Sequence, residues 1–195
     1  MTDQPREAAM TNESRRAFLG KAAAMAGAGA VLGAASSSVS AGLLPSVARR
    51  RVSPPKPDEP VRMAVIGPGG MGTGHCQAFS TFAKEGRANV RIVAVADVND
   101  FHAERGKRVV EERQGAGTVD TYRDYRKMLA RDDIHGVLIA SPEHWHAQHT
   151  IDAIAAGKDV YCEKPMTLNL AQAMDVRKAV LGNPDRIFQV GTQKM

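Results

Sequence analysis

From residue 61 onward, short apolar runs alternate with longer stretches whose apolar residues recur three or four positions apart. Runs of the first kind fit buried strands, and stretches of the second kind fit amphipathic helices. The pattern predicts strands at 61–66, 90–96, 136–140, 159–162 and 187–191, with a very short one at 118–119. It predicts helices at 70–84, 100–114, 121–130, 142–156 and 166–181. Tyr122, Tyr125 and Leu129 then share one helix face, and Gly157 ends the fourth helix as its C-cap. Strands alternating with helices of this length imply an α/β fold with a doubly wound parallel sheet, the Rossmann arrangement. Ligands of such sheets bind beyond the carboxyl ends of the strands. The segments after the fourth and fifth strands are expected to flank that crevice.

The first strand breaks into Gly67-x-Gly69-x-x-Gly72, and a helix follows at once. A glycine triplet alone is weak evidence, but strand before and helix after are the context a dinucleotide fingerprint needs. Gly67 permits the tight turn, Gly69 lets a pyrophosphate approach the backbone, and Gly72 lets helix pack on strand. The helix start, with Gly70 and Met71, offers unpaired N–H groups and partial positive charge to phosphates. Asp97 closes the second strand, where a carboxylate accepts hydrogen bonds from the adenosine ribose. A 2′-phosphate there meets like charge, so the sequence favours NAD over NADP.

The net charge of +5 is unevenly placed. Arg6, Arg15, Arg16, Lys21, Arg49, Arg50 and Arg51 outnumber Asp3, Glu7 and Glu13 in the first 51 residues, and the remainder is near neutral. That body offers no basic footprint for nucleic acid. Ser14, Arg15, Arg16, Ala17, Phe18 and Leu19 precede a weakly apolar stretch rich in Ala and Gly. Paired arginines in that setting read as a twin-arginine export signal over residues 1–48, with Gly20 where lysine is usual and Lys21 one place later. The expected partner is the twin-arginine translocation machinery, and the expected destination is the periplasm. The apolar stretch falls short of the ~20 residues a comfortable span needs. An uncleaved signal tethering the chain to the membrane is the alternative. Small-residue cleavage sites follow Ala41 and Ala48, and the choice between them stays open. Residues 49–60, with Pro54, Pro55, Pro57 and Pro60, read as an extended linker to a domain at 61–195. The two cysteines, Cys76 and Cys162, read as buried free thiols. His144, His146 and His149 lack an acidic or thiol partner at ligand spacing, so no metal is expected.

Two further strings lie after the fourth and fifth strands: Ser141-Pro142-Glu143-His144-Trp145-His146, and Ala156-Gly157-Lys158-Asp159-Val160-Tyr161-Cys162-Glu163-Lys164-Pro165. With Gly67 to Gly72, Asp97 and Gln189-Val190-Gly191-Thr192-Gln193, they resemble the glucose–fructose oxidoreductase/inositol dehydrogenase family, called Gfo/Idh/MocA. The resemblance runs from about Val61 to the C-terminus. It implies an oxidoreductase that moves a hydride between a nicotinamide cofactor and a sugar or polyol. It also implies that Lys164, beside the nicotinamide, hydrogen-bonds the substrate hydroxyl. A lysine at a dry strand end can shuttle a proton in such chemistry. By the same resemblance, Ser141, Pro142, His146 and Glu163 join the cofactor site, while His144 and His149 are surface or packing residues.

Members of that family have a second, largely antiparallel domain that bears the substrate site and the homo-oligomer interface. The sequence stops at Met195, where that domain would begin. The expectation is therefore the cofactor half of an exported NAD-dependent oxidoreductase, as a truncated product or an incomplete sequence. Two other functions stand beside it: an NAD-dependent glycosidase of the same fold, and a non-catalytic dinucleotide-binding fragment.

Overall fold

A computed structural model describes residues 52–192. The twin-arginine segment, its cleavage positions and Gln193 lie outside the described residues. Residues 52–60 form neither helix nor strand; a turn at 57–59 closes through the Glu59 N–H donating to the Lys56 carbonyl at 3.0 Å, and Val52 is buried.

Six parallel strands make one sheet in the order β3-β2-β1-β4-β5-β6: β1 (Val61–Ile66), β2 (Val90–Ala96), β3 (Asp120–Tyr122), β4 (Gly136–Ile139), β5 (Asp159–Glu163) and β6 (Phe188–Gly191). The helices between them are α1 (Gly70–Lys84), α2 (Asp100–Gln114), α3 (Tyr125–Leu129), α4 (His146–Ala155) and α5 (Leu170–Leu181). A single 3₁₀ turn, Glu143–Trp145, leads into α4. This is the doubly wound order expected from the alternation, and both faces of the sheet are covered.

Strand alternation sorts the core into two layers. Ala64, Ile66, Ala94, Ala96, Val137 and Ile139 point to the face packed with Met128 and Leu129 of α3 and Ile154 of α4. Val65, Val95 and Leu138 point to the other face, against Cys76 of α1 and Ala103 and Val110 of α2. Cys76 and Cys162 are therefore both buried and unbridged, on opposite faces. Burial pushes the Cys76 thiol up to about 12 and that of Cys162 up to about 11, which keeps both inert.

Local chemistry moves several predicted boundaries. The third strand is Asp120–Tyr122, not 118–119, because Asp120, Thr121 and Tyr122 pair with Ala94, Val95 and Ala96. The helix after it starts only at Tyr125, where the Asp124 carboxylate accepts from the Arg126 N–H at 3.0 Å. The predicted helix at 142–156 divides into the 3₁₀ turn and α4, and Gly157 follows at φ 75°. The last helix begins at Leu170, not 166, because the Asn169 side chain accepts from the Gln172 N–H at 3.0 Å.

The strand order reverses between β1 and β4. The crevice of the fold thus opens at the carboxyl ends of those two strands, not between the fourth and fifth as the sequence suggested. Ligands of open α/β sheets bind at that reversal because the loops on either side of it turn away to opposite faces.

Candidate dinucleotide site

The loop after β1 is held against the loop after β4. Gly67 has φ 79°, and a Cβ there would lie 2.6 Å from the Ser141 backbone nitrogen and Cα. Its N–H donates to the Ala96 carbonyl at 2.8 Å, and the Ala140 N–H donates to the Ile66 carbonyl at 2.9 Å. A Cβ on Gly72 would collide with the Gly67 carbonyl, which explains how closely α1 starts against its strand. Around Gly69 the space is open, the one contact within reach being His102 Nδ1 at 4.0 Å, and Gly70 has nothing within 4 Å. Met71 is exposed. The Thr73 hydroxyl donates to the Pro68 carbonyl at 2.8 Å and braces the turn.

No side chain caps the start of α1, whose N-cap is Gly69, and its first turn holds no acid. By contrast Asn99, Asp124 and Asn169 cap α2, α3 and α5 with their side chains. The first N–H groups of α1 are thus left to an external acceptor, and no Cβ occupies the space in front of Gly69 or Gly70. An anion fits that cradle.

Asp97 stands on the neighbouring strand end. One carboxylate oxygen accepts from the Asn99 N–H at 2.9 Å, and the other lies 3.6 Å from His102 Nδ1. Its side chain is mostly buried yet lines a cleft of about 910 Å³. Gly67, Ser141 and Pro142 line the same cleft, with Tyr122, Tyr125, Trp145 and His149. The residues present therefore fit a dinucleotide: an uncapped helix start follows the glycine turn, and Gly67 of that turn lines the cleft together with Asp97.

Other expected site residues act at one remove. His146 is buried, its Nδ1 2.7 Å from the Pro165 carbonyl oxygen and its Nε2 2.7 Å from that of Ser141. It ties the loop after β4 to the loop after β5, and with both ring nitrogens so engaged it does not line the cleft. Glu163 is likewise buried: one oxygen lies 2.6 Å from His75 Nε2, and the other accepts from the Lys164 N–H at 3.2 Å. It fastens the end of β5 to α1. Lys164 itself is exposed at that strand end. The dry surroundings expected for it are not supplied by residues 52–192.

Three contributors, His75, His102 and Gly106, were not marked in the sequence. His75, three residues past Gly72, holds Glu163. His102, on the first turn of α2, sits beside Asp97. Gly106 admits Pro68, since a Cβ there would lie 2.6 Å from the proline ring. His149, expected as a surface or packing residue, is a packed one that also lines the cleft: it is buried, its Nδ1 is 3.0 Å from the Ser141 hydroxyl, and its ring stacks on Trp145. Burial is the largest influence on His149 and pulls its pKa down to about 4, so it is neutral at neutral pH. Spacing from the glycine turn was a usable signal for His75. Nothing local marks Gly106, whose neighbour Pro68 is distant in sequence.

Fold and site together define a dinucleotide-binding Rossmann domain. The Gfo/Idh/MocA family model, described as oxidoreductase family, NAD-binding Rossmann fold, matches residues 61–192. The chain belongs to that family. It is 37% identical over 130 residues to an inositol 2-dehydrogenase of Gluconacetobacter diazotrophicus, a match covering 66% of this chain and 36% of the relative. It is 33% identical over 173 residues to glycosyl hydrolase family 109 protein 2 of Shewanella sp. (strain ANA-3), covering 86% of this chain and 37% of the relative. Among solved structures it is similar to myo-inositol 2-dehydrogenase from Lactobacillus plantarum, with a TM-score of 0.59, 29% identity, and coverage of 68% of this chain and 36% of that one. The chain thus spans little more than a third of the length of these relatives.

Proposed function

We propose that this chain is the cofactor-binding part of an exported NAD-dependent oxidoreductase that acts on a hydroxyl of a sugar or polyol. One observation supports it above the others: Gly67, in the glycine turn that leads into the uncapped start of α1, and the Asp97 carboxylate line one cleft at the β1/β4 reversal. The inositol dehydrogenases among its relatives favour a polyhydroxylated substrate. NAD, when bound, accepts the hydride from the carbon being oxidised.

The chain's own residues divide the remaining work. The first N–H groups of α1, at Gly70, Met71 and Gly72, hold the pyrophosphate, and Asp97 accepts from the ribose hydroxyls. Ser141 and Pro142 wall the cleft, with His146 holding their loop in place. Lys164 Nζ would hydrogen-bond the substrate hydroxyl. Glu163, held by His75, fixes the strand end from which Lys164 projects. Export by the twin-arginine machinery, from Arg15 and Arg16, places the enzyme in the periplasm, as a homo-oligomer in its full-length form.

Calorimetric titration of the purified chain with NAD and NADP tests the cofactor assignment. NAD binds more tightly, and Asp97→Ser narrows the difference. Equal or tighter NADP binding by the unaltered chain overturns the role given to Asp97.

A second reading is an NAD-dependent glycosidase of the same fold. It is favoured by the family 109 glycosyl hydrolase relative, whose match covers 86% of this chain. Sugar release from an aryl glycoside, without net NADH formation, separates it from the first.

A further inference from the structure

The Glu163 carboxylate reaches two different parts of the molecule. Its side chain is only 5% exposed. One oxygen lies 2.6 Å from His75 Nε2 on α1, and the other accepts from the Lys164 N–H at 3.2 Å. An ionised carboxylate only accepts, so Nε2 is the donor. His75 is itself mostly buried, and its ring meets Tyr161 of β5 edge-on, with centroids 5.8 Å apart and planes at 66°. It stands on α1 one turn beyond Gly72, and so close behind the N–H groups that no side chain caps. At a rise of about 1.5 Å per residue, Gly72 and His75 are roughly 5 Å apart along the helix axis. An apolar pair could hold α1 against β5 without the cost of burying a carboxylate. What the carboxylate adds is direction, because its two oxygens lie in one rigid plane.

We propose that His75 is a positioning residue: through Glu163 it couples occupation of the phosphate cradle at the start of α1 to the placement of Lys164 at the end of β5. The proposal rests on the NAD reading above and adds the route by which a bound cofactor sets the lysine. Three features support it. The first N–H groups of α1 have no side-chain acceptor, so a phosphate that fills them acts on the same helix that carries His75. The two carboxylate oxygens move together, so a displacement of the His75 donor turns the acceptor that holds the Lys164 N–H. The pair is short and mostly shielded from water, so it transmits a displacement that two exposed, freely rotating side chains would absorb.

The test follows the Lys164 amide by nuclear magnetic resonance in the full chain, with the lysine backbone nitrogens isotopically labelled. Loss of one resonance in Lys164→Arg identifies it. The titrant is ADP, which carries both phosphates but has neither the second ribose nor the nicotinamide to touch Lys164 directly. In the unaltered chain the Lys164 amide shifts saturably, with the midpoint that calorimetry gives for ADP. In His75→Phe, brought to saturation by the same calorimetric criterion, that shift is lost. His75→Gln, whose amide can donate to the same Glu163 oxygen, restores it. Calorimetric ADP binding with the Lys164 amide unmoved is the result of a merely structural pair; it overturns the coupling and leaves the NAD reading standing. A shift that persists in full in His75→Phe overturns it equally. Failure of the unaltered chain to bind either NAD or ADP overturns that reading instead, and the coupling with it. If circular dichroism shows His75→Phe unfolded, Glu163→Gln decides. It keeps the size of the side chain but offers one acceptor oxygen in place of two, so the shift is lost there as well, and its persistence overturns the coupling.

Discussion

At Gly67 two constraints meet in one residue. Its φ of 79° belongs to the left-handed region, and the Ser141 backbone stands 2.6 Å from where a Cβ would be. Relaxing either would pull the β1 loop from the β4 loop, and that contact forms the floor of the crevice. Gly67→Ala is expected to cost roughly 2–4 kcal/mol, from unfavourable φ plus overpacking, and to weaken NAD binding. Gly70→Ala meets open space and should leave the melting temperature within a few degrees of the unaltered chain. Paired thermal melts followed by circular dichroism check both.

His149 gives the acid limb of stability a specific source. Burial holds its folded-state pKa near 4, below the ordinary 6.5. Between those values the unfolded chain binds the proton and the folded chain does not, so stability rises with pH across the interval. This contribution is present in full above pH 6.5 and is lost as the pH falls toward 4. It amounts to roughly 3 kcal/mol by linkage. Asp133 works at lower pH, because its hydrogen bond from Arg131 holds its carboxyl at about 2. Urea midpoints measured from pH 4 to 7 should fall on the acid side, and His149→Phe should flatten that fall.

At the scale of elements, the short α3 depends on its cap. It has only five residues, Tyr125–Leu129, yet places Tyr125, Met128 and Leu129 in the core. So short a helix is unstable by itself, and the Asp124 side chain satisfies one of its first N–H groups. Asp124→Ala should cost about 1 kcal/mol, read as a lower urea midpoint with an unchanged slope. The loop before β4 shows a different device. Buried Lys158 donates to the carbonyls of Arg131 and Ile134 and fastens that loop under the start of β5. The string from Gly157 to Pro165 thus mixes residues that build the fold with two, Lys164 and Pro165, that are exposed.

For the molecule as a whole, the cofactor should be part of the stability. A ligand that binds only the folded chain adds about 2.7 kcal/mol at a hundred times its dissociation constant. For a domain of this size that raises the melting temperature by roughly 6–10 °C. NAD in scanning fluorimetry with an extrinsic dye should produce this rise, and NADP at equal concentration a smaller one. Absence of any shift at saturating NAD contradicts the site described at the β1/β4 reversal.

Strand and helix identity, the parallel sheet and the glycine turn after β1 were legible in the sequence, because each depends on residues close together in the chain. Alternating apolar runs in Val61–Ile66 and Val90–Ala96 specify strands buried on both faces, and Gly67, Gly69 and Gly72 specify their own turn. Asp97 was legible for the same reason, since it closes a strand that the pattern already marks. Where local chemistry competed with periodicity, the reading slipped. Thr121 and Tyr122 fitted a helical face but joined the sheet edge, and the Asp124 cap postponed α3.

Tertiary structure alone decided which residues touch. That His146 and Glu163 are struts, while His149 lines the cleft, follows from contacts with Ser141, Pro165, His75 and Trp145. His75 and Glu163 lie 88 positions apart. Propensity and spacing act over a few residues, whereas the His75–Glu163 and His146–Pro165 contacts form only when β4 and β5 take their places beside β1. The crevice position was settled in the same way, by a reversal of strand order that no single segment encodes.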